Sequence, residues 1–270
     1  MCALIWWLLA AYLRGTGRIP VWYDQETTFL TAPFHITDPY ALPRFMYPPW
    51  TAVLLAPLGL IQLHLAILLQ ACLYFVLLTL VIFKFRGNLR IVLLVLTSFI
   101  ALDAVIELNL EWLICIGLLV PPAWSSPFLL IKPQDALGVM ITYKRRDFIR
   151  TTLLGLLVVL VSLLLWGAWP LQSLKAIQTY TLGQSFNLAP LALLPWFVSL
   201  AIGGYLAWRA YRKQDAPLAI LAWLFFVPYI PLYSLLIPFA ALAVRFPRVA
   251  LIISVVMWAV YGRVVLLTLF

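Results

Sequence analysis

Residues 128–146 read FLLIKPQDALGVMITYKRR. An apolar run meets Lys132, Gln134 and Asp135, resumes, and ends in a basic cluster at residues 144–146. Neither apolar part reaches the roughly 20 residues needed to cross about 30 Å of hydrocarbon. Pro133 removes a backbone donor and disfavours helical geometry at Lys132. The stretch predicts a hairpin over residues 127–143, two short helices with a break between them. Broken backbone at membrane depth persists only where protein or a watery cavity satisfies the freed groups. Lys132 and Gln134 are therefore expected at the apex of a hairpin lining a polar cavity. The competing reading has Lys132 snorkelling to a headgroup.

The rest of the chain sets the medium. It has 270 residues, 65% hydrophobic and 10% charged, with a mean hydropathy of +1.05. A water-exposed shell would demand roughly a quarter charged residues. Solid apolar runs, without period-2 alternation, exclude a β-barrel. The expected fold is all-α, a polytopic helical transmembrane bundle of about 8–11 membrane segments, counting short and re-entrant helices. Residues 1–270 read as a single integral membrane domain. The net charge of +9 would suggest nucleic acid in a soluble protein. Here it follows from basic residues gathering on the cytoplasmic side, and no nucleic-acid partner is expected. Cys2, Cys72 and Cys115 have no metal or redox spacing, and there is no glycine-rich phosphate loop, sequon or internal repeat.

Basic clusters fix a topology. They fall at residues 84–90, 144–150, 209–213 and 245–248. With all four in the cytoplasm, residues 91–106 run outward and 108–120 return. Residues 151–169 run outward and 188–208 return, then 217–229 and 231–244 do the same, and 249–268 end outside. Twelve of the eighteen basic residues then face the cytoplasm, while Arg14, Arg18, Arg44, Lys132 and Lys175 face the other side. The N-terminus is expected in the cytoplasm and the C-terminus outside, in a plasma (inner) membrane. The run ALIWWLLAAYL at residues 3–13 lacks a preceding basic region and reads as a retained short first helix rather than a signal peptide.

Two polar groups remain. Asp103, Glu107 and Glu111 fall at i, i+4 and i+8 and share a helical stripe; intramembrane acids normally face a cavity or a partner. The outer loop, residues 14–50, sets Asp24, Glu26 and Asp38 among aromatic side chains. That mixture suits carbohydrate, and equally an interfacial aromatic belt.

The order of motifs carries a resemblance. Asp24 follows the first helix; then come DPY (38–40), FMYPPW (45–50), ELN (107–109), IKPQ (131–134) ahead of KRRDFIR (144–150), and PYIPLY (228–233). The chain resembles the GT-C superfamily of membrane glycosyltransferases, in particular the family-87 branch of polyprenyl-phosphate-mannose-dependent α-mannosyltransferases. The resemblance implies that Asp24 is the general base on the acceptor hydroxyl and that Lys132 lies near the donor phosphate. It implies that Tyr47, with Pro48 and Pro49, shapes the donor groove. Gln134, Arg44, Asn109, Glu107 and Asp38 complete the implied binding set. The donor would be a polyprenyl-phosphate sugar, the acceptor a glycolipid or glycan, and the outcome inversion by direct displacement. No cofactor is required, although Asp24 with Asp38 could hold a divalent cation. The chain departs from the branch where Glu107-Leu108-Asn109 replaces a Gly-Gln-x-Asn-like element, and in the compressed region 121–134. A transporter or lipid flippase built on the acid stripe and the broken hairpin, or a non-catalytic GT-C-like subunit, are the alternative readings.

Overall fold

The computed structural model describes the chain apart from residues 18–19, 182–186 and 270, with backbone alone at 180–181 and 264–269. Arg18, assigned above to the outer face, lies outside the described residues. Every regular element among the described residues is helical. The first half holds α1 (Cys2–Gly15), α2 (Trp50–Gly59), α3 (Leu63–Lys84), α4 (Leu89–Leu96), α5 (Phe99–Glu107) and α6 (Glu111–Leu119). The hairpin follows as α7 (Ser126–Leu129), α8 (Pro133–Ala136) and a 3-10 segment, Leu137–Thr142. Then come α9 (Arg145–Trp166), α10 (Trp169–Thr181), α11 (Pro190–Leu193) and α12 (Trp196–Lys213). The chain closes with α13 (Ala216–Trp223), α14 (Leu236–Arg245) and α15 (Pro247–Leu269).

By length and composition α3 and α9 can each cross a membrane, and the pair α4–α5 adds a third span if its halves act together. Helices α9 and α12 sort their side chains as a lipid-facing helix does. Helix α9 buries Thr151, Gly155 and Ser162 and leaves Leu153, Leu156, Leu160 and Leu164 exposed. Helix α12 likewise buries Ser199, Gly203 and Ala210, while Ile202, Tyr205 and Trp208 are exposed. Water would drive the large apolar side chains inward. Lipid removes that drive, and small residues then take the helix contacts.

The expected run 91–106 is bent rather than straight: α4 and α5 meet at 58°. Thr97 Oγ1 bonds back to the Leu93 carbonyl at 2.7 Å. Ser98 Oγ accepts from Ala101 N at 3.2 Å and starts a new helix. Hydroxyls that bond locally compete with helix continuation. The expected run 151–169 begins six residues earlier, because α9 extends back through Arg145 and Arg146.

The basic clusters share one pole. The Lys84 ammonium donates to the carbonyls of Leu118 (2.7 Å) and Leu119 (3.2 Å) at the end of α6. A cation there satisfies orphan carbonyls and suits the helix dipole. Gly87 packs beside Val244, and Arg245 Nε lies 3.0 Å from Asp215 Oδ2. Asp215 also caps α13 through Leu218 N at 3.1 Å, so it is a structural residue rather than a merely solvated one. Ser125, just past α6, reaches Thr151 in α9 at 3.1 Å. The outer loop occupies the opposite pole, where Trp166 Nε1 donates to the Ile36 carbonyl at 2.6 Å and Trp50 meets Trp169 edge-on.

Helix α6 is the axis of the core. Its nine residues rise only about 14 Å, and seven of them are buried, including Glu111. It packs on α3 and on the hairpin helices α7 and α8. The turn before it runs through Leu108 at φ 35°, a left-handed conformation held by a non-glycine residue. The outer loop stabilises that turn by satisfying the carbonyls that end α5. Trp22 N donates to Ile106 O at 3.0 Å and Trp22 Nε1 to Val105 O at 2.9 Å. Gln25 Nε2 donates to Leu108 O. The Gln25 side chain is fixed in turn by Gln70 of α3, whose Nε2 donates to Gln25 Oε1 at 3.0 Å. Both glutamines are wholly buried. Replacing Gln70 by Leu is expected to cost about 1–3 kcal/mol, the desolvation of an orphaned amide, read as a fall in thermal midpoint in detergent.

Gly138 lets the hairpin meet α13. A Cβ there would stand 2.5 Å from Trp223 Cβ and 2.7 Å from the Ala219 carbonyl. Trp223 Nε1 also donates to Pro133 O at 2.8 Å. Gly138→Ala is therefore expected to destabilise by about 1–3 kcal/mol through overpacking, and to loosen the hairpin to proteolysis. Unchanged protease resistance would contradict the close approach.

Candidate functional site

The turn between α5 and α6 delivers Glu107, Asn109 and Glu111 to the inner end of the outer loop. Asn109 Oδ1 accepts from Leu110 N at 2.8 Å and from Tyr47 Oη at 2.8 Å. Its Nδ2 donates to Tyr233 Oη at 3.5 Å. One buried amide thus ties together α6, the outer loop and the segment before α14. Burial pushes the Tyr47 phenol well above the usual tyrosine range, so it stays a donor to Asn109.

One turn deeper lies a buried ion pair. The Lys132 ammonium donates to Glu111 Oε1 and to Ser234 Oγ at 2.7 Å. Ser234 Oγ donates to the same Glu111 oxygen at 3.0 Å. The Tyr233 ring lies under the ammonium, 4.6 Å from its centroid, a cation–π geometry. Lys132 is 2% exposed and Glu111 is 1% exposed, so neither charge reaches water. The break at Pro133 makes this possible, because it turns Lys132 inward at φ −142°. Glu111 stands in the first turn of α6, where the helix dipole favours an anion.

Lys132, Gln134, Tyr47 and Pro48 line one cavity of about 480 Å³. Its remaining walls are largely apolar, with Trp169, Trp223 and Phe226 prominent. The hairpin apex therefore faces a cavity, as the sequence predicts, yet two points differ. The walls are mostly apolar rather than polar. The lysine is also not a free cation, since Glu111 already neutralises it.

Asp24 and Arg44 form a second, shallower group. Arg44 Nη1 lies 3.4 Å from Asp24 Oδ1, and the guanidinium covers the Tyr23 ring at 4.6 Å. Glu107 is within electrostatic reach of both. Tyr47 is within reach of both Asp24 and Lys132, so the two groups flank one phenol. Asp24, Arg44, Glu107 and Asn109 do not line the cavity of about 480 Å³ that Lys132 lines. Asp38 departs altogether: it is exposed and lines a separate cavity of about 440 Å³ with Tyr40, Gln172 and Lys175. Asp24 does not line that cavity. No cluster of three or more His, Cys, Asp or Glu among the described residues is placed to hold a metal ion. The acid stripe is also broken, because Glu111 lies beyond the left-handed turn at Leu108.

Three residues of the site receive no role from the sequence. Ser234 carries no motif. Tyr233 ends the PYIPLY run, but its contact with Lys132 is long-range. Asp135 stands beside Lys132 and Gln134 in the opening stretch. It is 1% exposed, and neither carboxylate oxygen has a hydrogen-bond partner. No family model, curated protein or solved structure matches the chain, so the likeness to GT-C glycosyltransferases rests on its motifs alone.

Proposed function

We propose that the chain is a polytopic, GT-C-like membrane glycosyltransferase. It moves a sugar from a polyprenyl-phosphate donor to a glycolipid or glycan acceptor at the extracytoplasmic face of a plasma membrane. Mannose is the sugar the family-87 resemblance implies. The observation that carries the reading is the largely apolar cavity of about 480 Å³ with Lys132, Gln134 and Tyr47 in its wall. A lipid-borne phosphate needs such a place: aromatic and aliphatic walls for the isoprenoid, and one cation near the headgroup. Basic clusters gathered at the pole opposite the outer loop support a cytoplasmic N-terminus and an outward-facing site.

In this reading a lysine ammonium has three N–H donors. Glu111 and Ser234 take two, and the third serves the donor phosphate. A preplaced donor stabilises the charge that develops on the leaving phosphate. Asp24 takes the acceptor proton as the hydroxyl attacks the anomeric carbon, and the phosphate leaves with the bonding pair. Arg44 keeps Asp24 in place.

Reconstitution in liposomes tests this. The protein is supplied with radiolabelled polyprenyl-phosphate mannose and a mixed glycolipid acceptor pool. Labelled acceptor is the expected product. Movement of the lipid between leaflets without sugar transfer would instead establish the transporter reading. Binding of the donor without turnover would establish a non-catalytic subunit.

A further inference from the structure

The charges around Lys132 do not balance. Two carboxylates, Glu111 and Asp135, are buried to 1% exposure beside one ammonium that is buried to 2%. All three interact electrostatically. Lys132 bonds Glu111 and Ser234, while both oxygens of Asp135 lack a hydrogen-bond partner. Three ionised groups would leave one net buried negative charge, which a low-dielectric interior does not sustain. At rest the carboxylate pair therefore holds one proton, shared as interacting acids share one.

An incoming anion upsets this balance. It would place a second negative charge on an ammonium already matched by Glu111. We infer that binding of a singly charged phosphodiester at Lys132 takes up about one proton from solution onto the Glu111–Asp135 pair, so that the phosphate on the third N–H replaces Glu111 as the counter-charge of the lysine. The inference rests on the donor-site reading above and adds a requirement to it: the lysine becomes available only as its buried partner is neutralised. The proton comes from bulk water, no covalent bond between heavy atoms changes, and the bound state is Lys132 cation, phosphodiester anion and two neutral carboxylic acids.

Other groups surround the pair. Tyr74 of α3 and Cys115 of α6 interact with both acids. Tyr47 approaches Lys132, and Tyr233 approaches Glu111. Phenols and thiols are protonated at neutral pH and supply no uptake. Asp103 and Glu107 of α5 interact with Glu111 but make no bond to Lys132, and the variants below leave them intact.

Calorimetry on the purified full chain in detergent tests the coupling. The probe is citronellyl methyl phosphate, a diester whose single charge does not change between pH 5.5 and 8. Heats measured in buffers of different ionisation enthalpy should reveal uptake of about one proton, with Kd rising about tenfold per pH unit. In the double variant Glu111→Gln with Asp135→Asn a proton taken up can go only to Lys132, so the infrared band of a protonated carboxyl that the wild type gains on binding should be absent. Wild-type binding with identical observed heats in every buffer and a flat Kd would overturn the coupling and leave the donor site standing. A folded double variant that still gains the carboxyl band would also overturn it, by moving the proton to Asp103 or Glu107. Failure of the wild type to bind the probe at any pH would overturn the donor-site reading and the coupling together.

Discussion

Lys132→Met is expected to destabilise the protein by about 3–5 kcal/mol, because it strands a buried carboxylate. Glu111 has no water to turn to at 1% exposure, and Ser234 alone would remain as its partner. Removing the other half alone, Glu111→Leu, takes away the bonded partner but leaves Asp135 beside the ammonium to carry the negative charge, and should cost less, about 1–3 kcal/mol. Removing both, as Lys132→Met with Glu111→Leu, should recover most of the loss, since a buried ion pair is roughly matched by well-packed apolar residues. The double-mutant cycle separates this account from a purely functional lysine. Equilibrium or thermal unfolding in detergent reads it, and additive single effects would show that the pair is not coupled. The resemblance alone casts Lys132 as a phosphate ligand whose loss would spare the fold. The geometry gives it a structural task through Glu111 and Ser234, so stability and activity are to be measured on the same variant.

Asp24→Asn should do the opposite: abolish transfer and keep the fold. A general base typically contributes about 10²–10⁴-fold, and Asn cannot accept the proton. The Arg44 pair it weakens is long, at 3.4 Å, and partly solvent-exposed, with side chains 18% and 28% accessible. Such pairs contribute about 0–1 kcal/mol, and Asn can still accept from the guanidinium. The expected result is a drop of about 10²-fold or more in single-turnover rate with an unchanged thermal midpoint. Transfer at the wild-type rate would remove Asp24 from the chemistry and direct attention to Glu107, which stands within electrostatic reach of it.

How far the sequence foretold this arrangement depends on the distance of each interaction along the chain. The hairpin was legible because its cause is local: Pro133 breaks the helix where it stands, and α7 and α8 fall on either side of it. Helix α3 is legible because twenty-two predominantly apolar residues without proline or glycine permit little else. The gathering of basic clusters at one pole followed from charge asymmetry. The bend at Thr97 and Ser98 was missed, because the apolar run hides two hydroxyls that bond back locally. The partner of Lys132 was only half visible. Glu111 was seen as an acid in need of a partner, but its removal from the α5 stripe depends on a left-handed turn at Leu108 that no glycine announces. Ser234 lies 102 residues from Lys132, and the Gln25–Gln70 pair spans 45. Contacts of that range leave no periodic trace. Asp38 shares a loop with Asp24 in sequence, but it lines the cavity with Gln172 and Lys175, to which Asp24 does not contribute.

On the proposed reading the cavity beneath Tyr47 and Lys132 receives an isoprenoid phosphate. Photo-crosslinking in proteoliposomes, with a polyprenyl phosphate carrying a diazirine near its headgroup, reads out where that phosphate binds. Adducts mapped by mass spectrometry should fall on residues 46–48, 130–134, 169–177 and 223–233, and unlabelled polyprenyl phosphate should compete them away. Adducts confined to the exposed leucines of α9, unaffected by competitor, would contradict the claim.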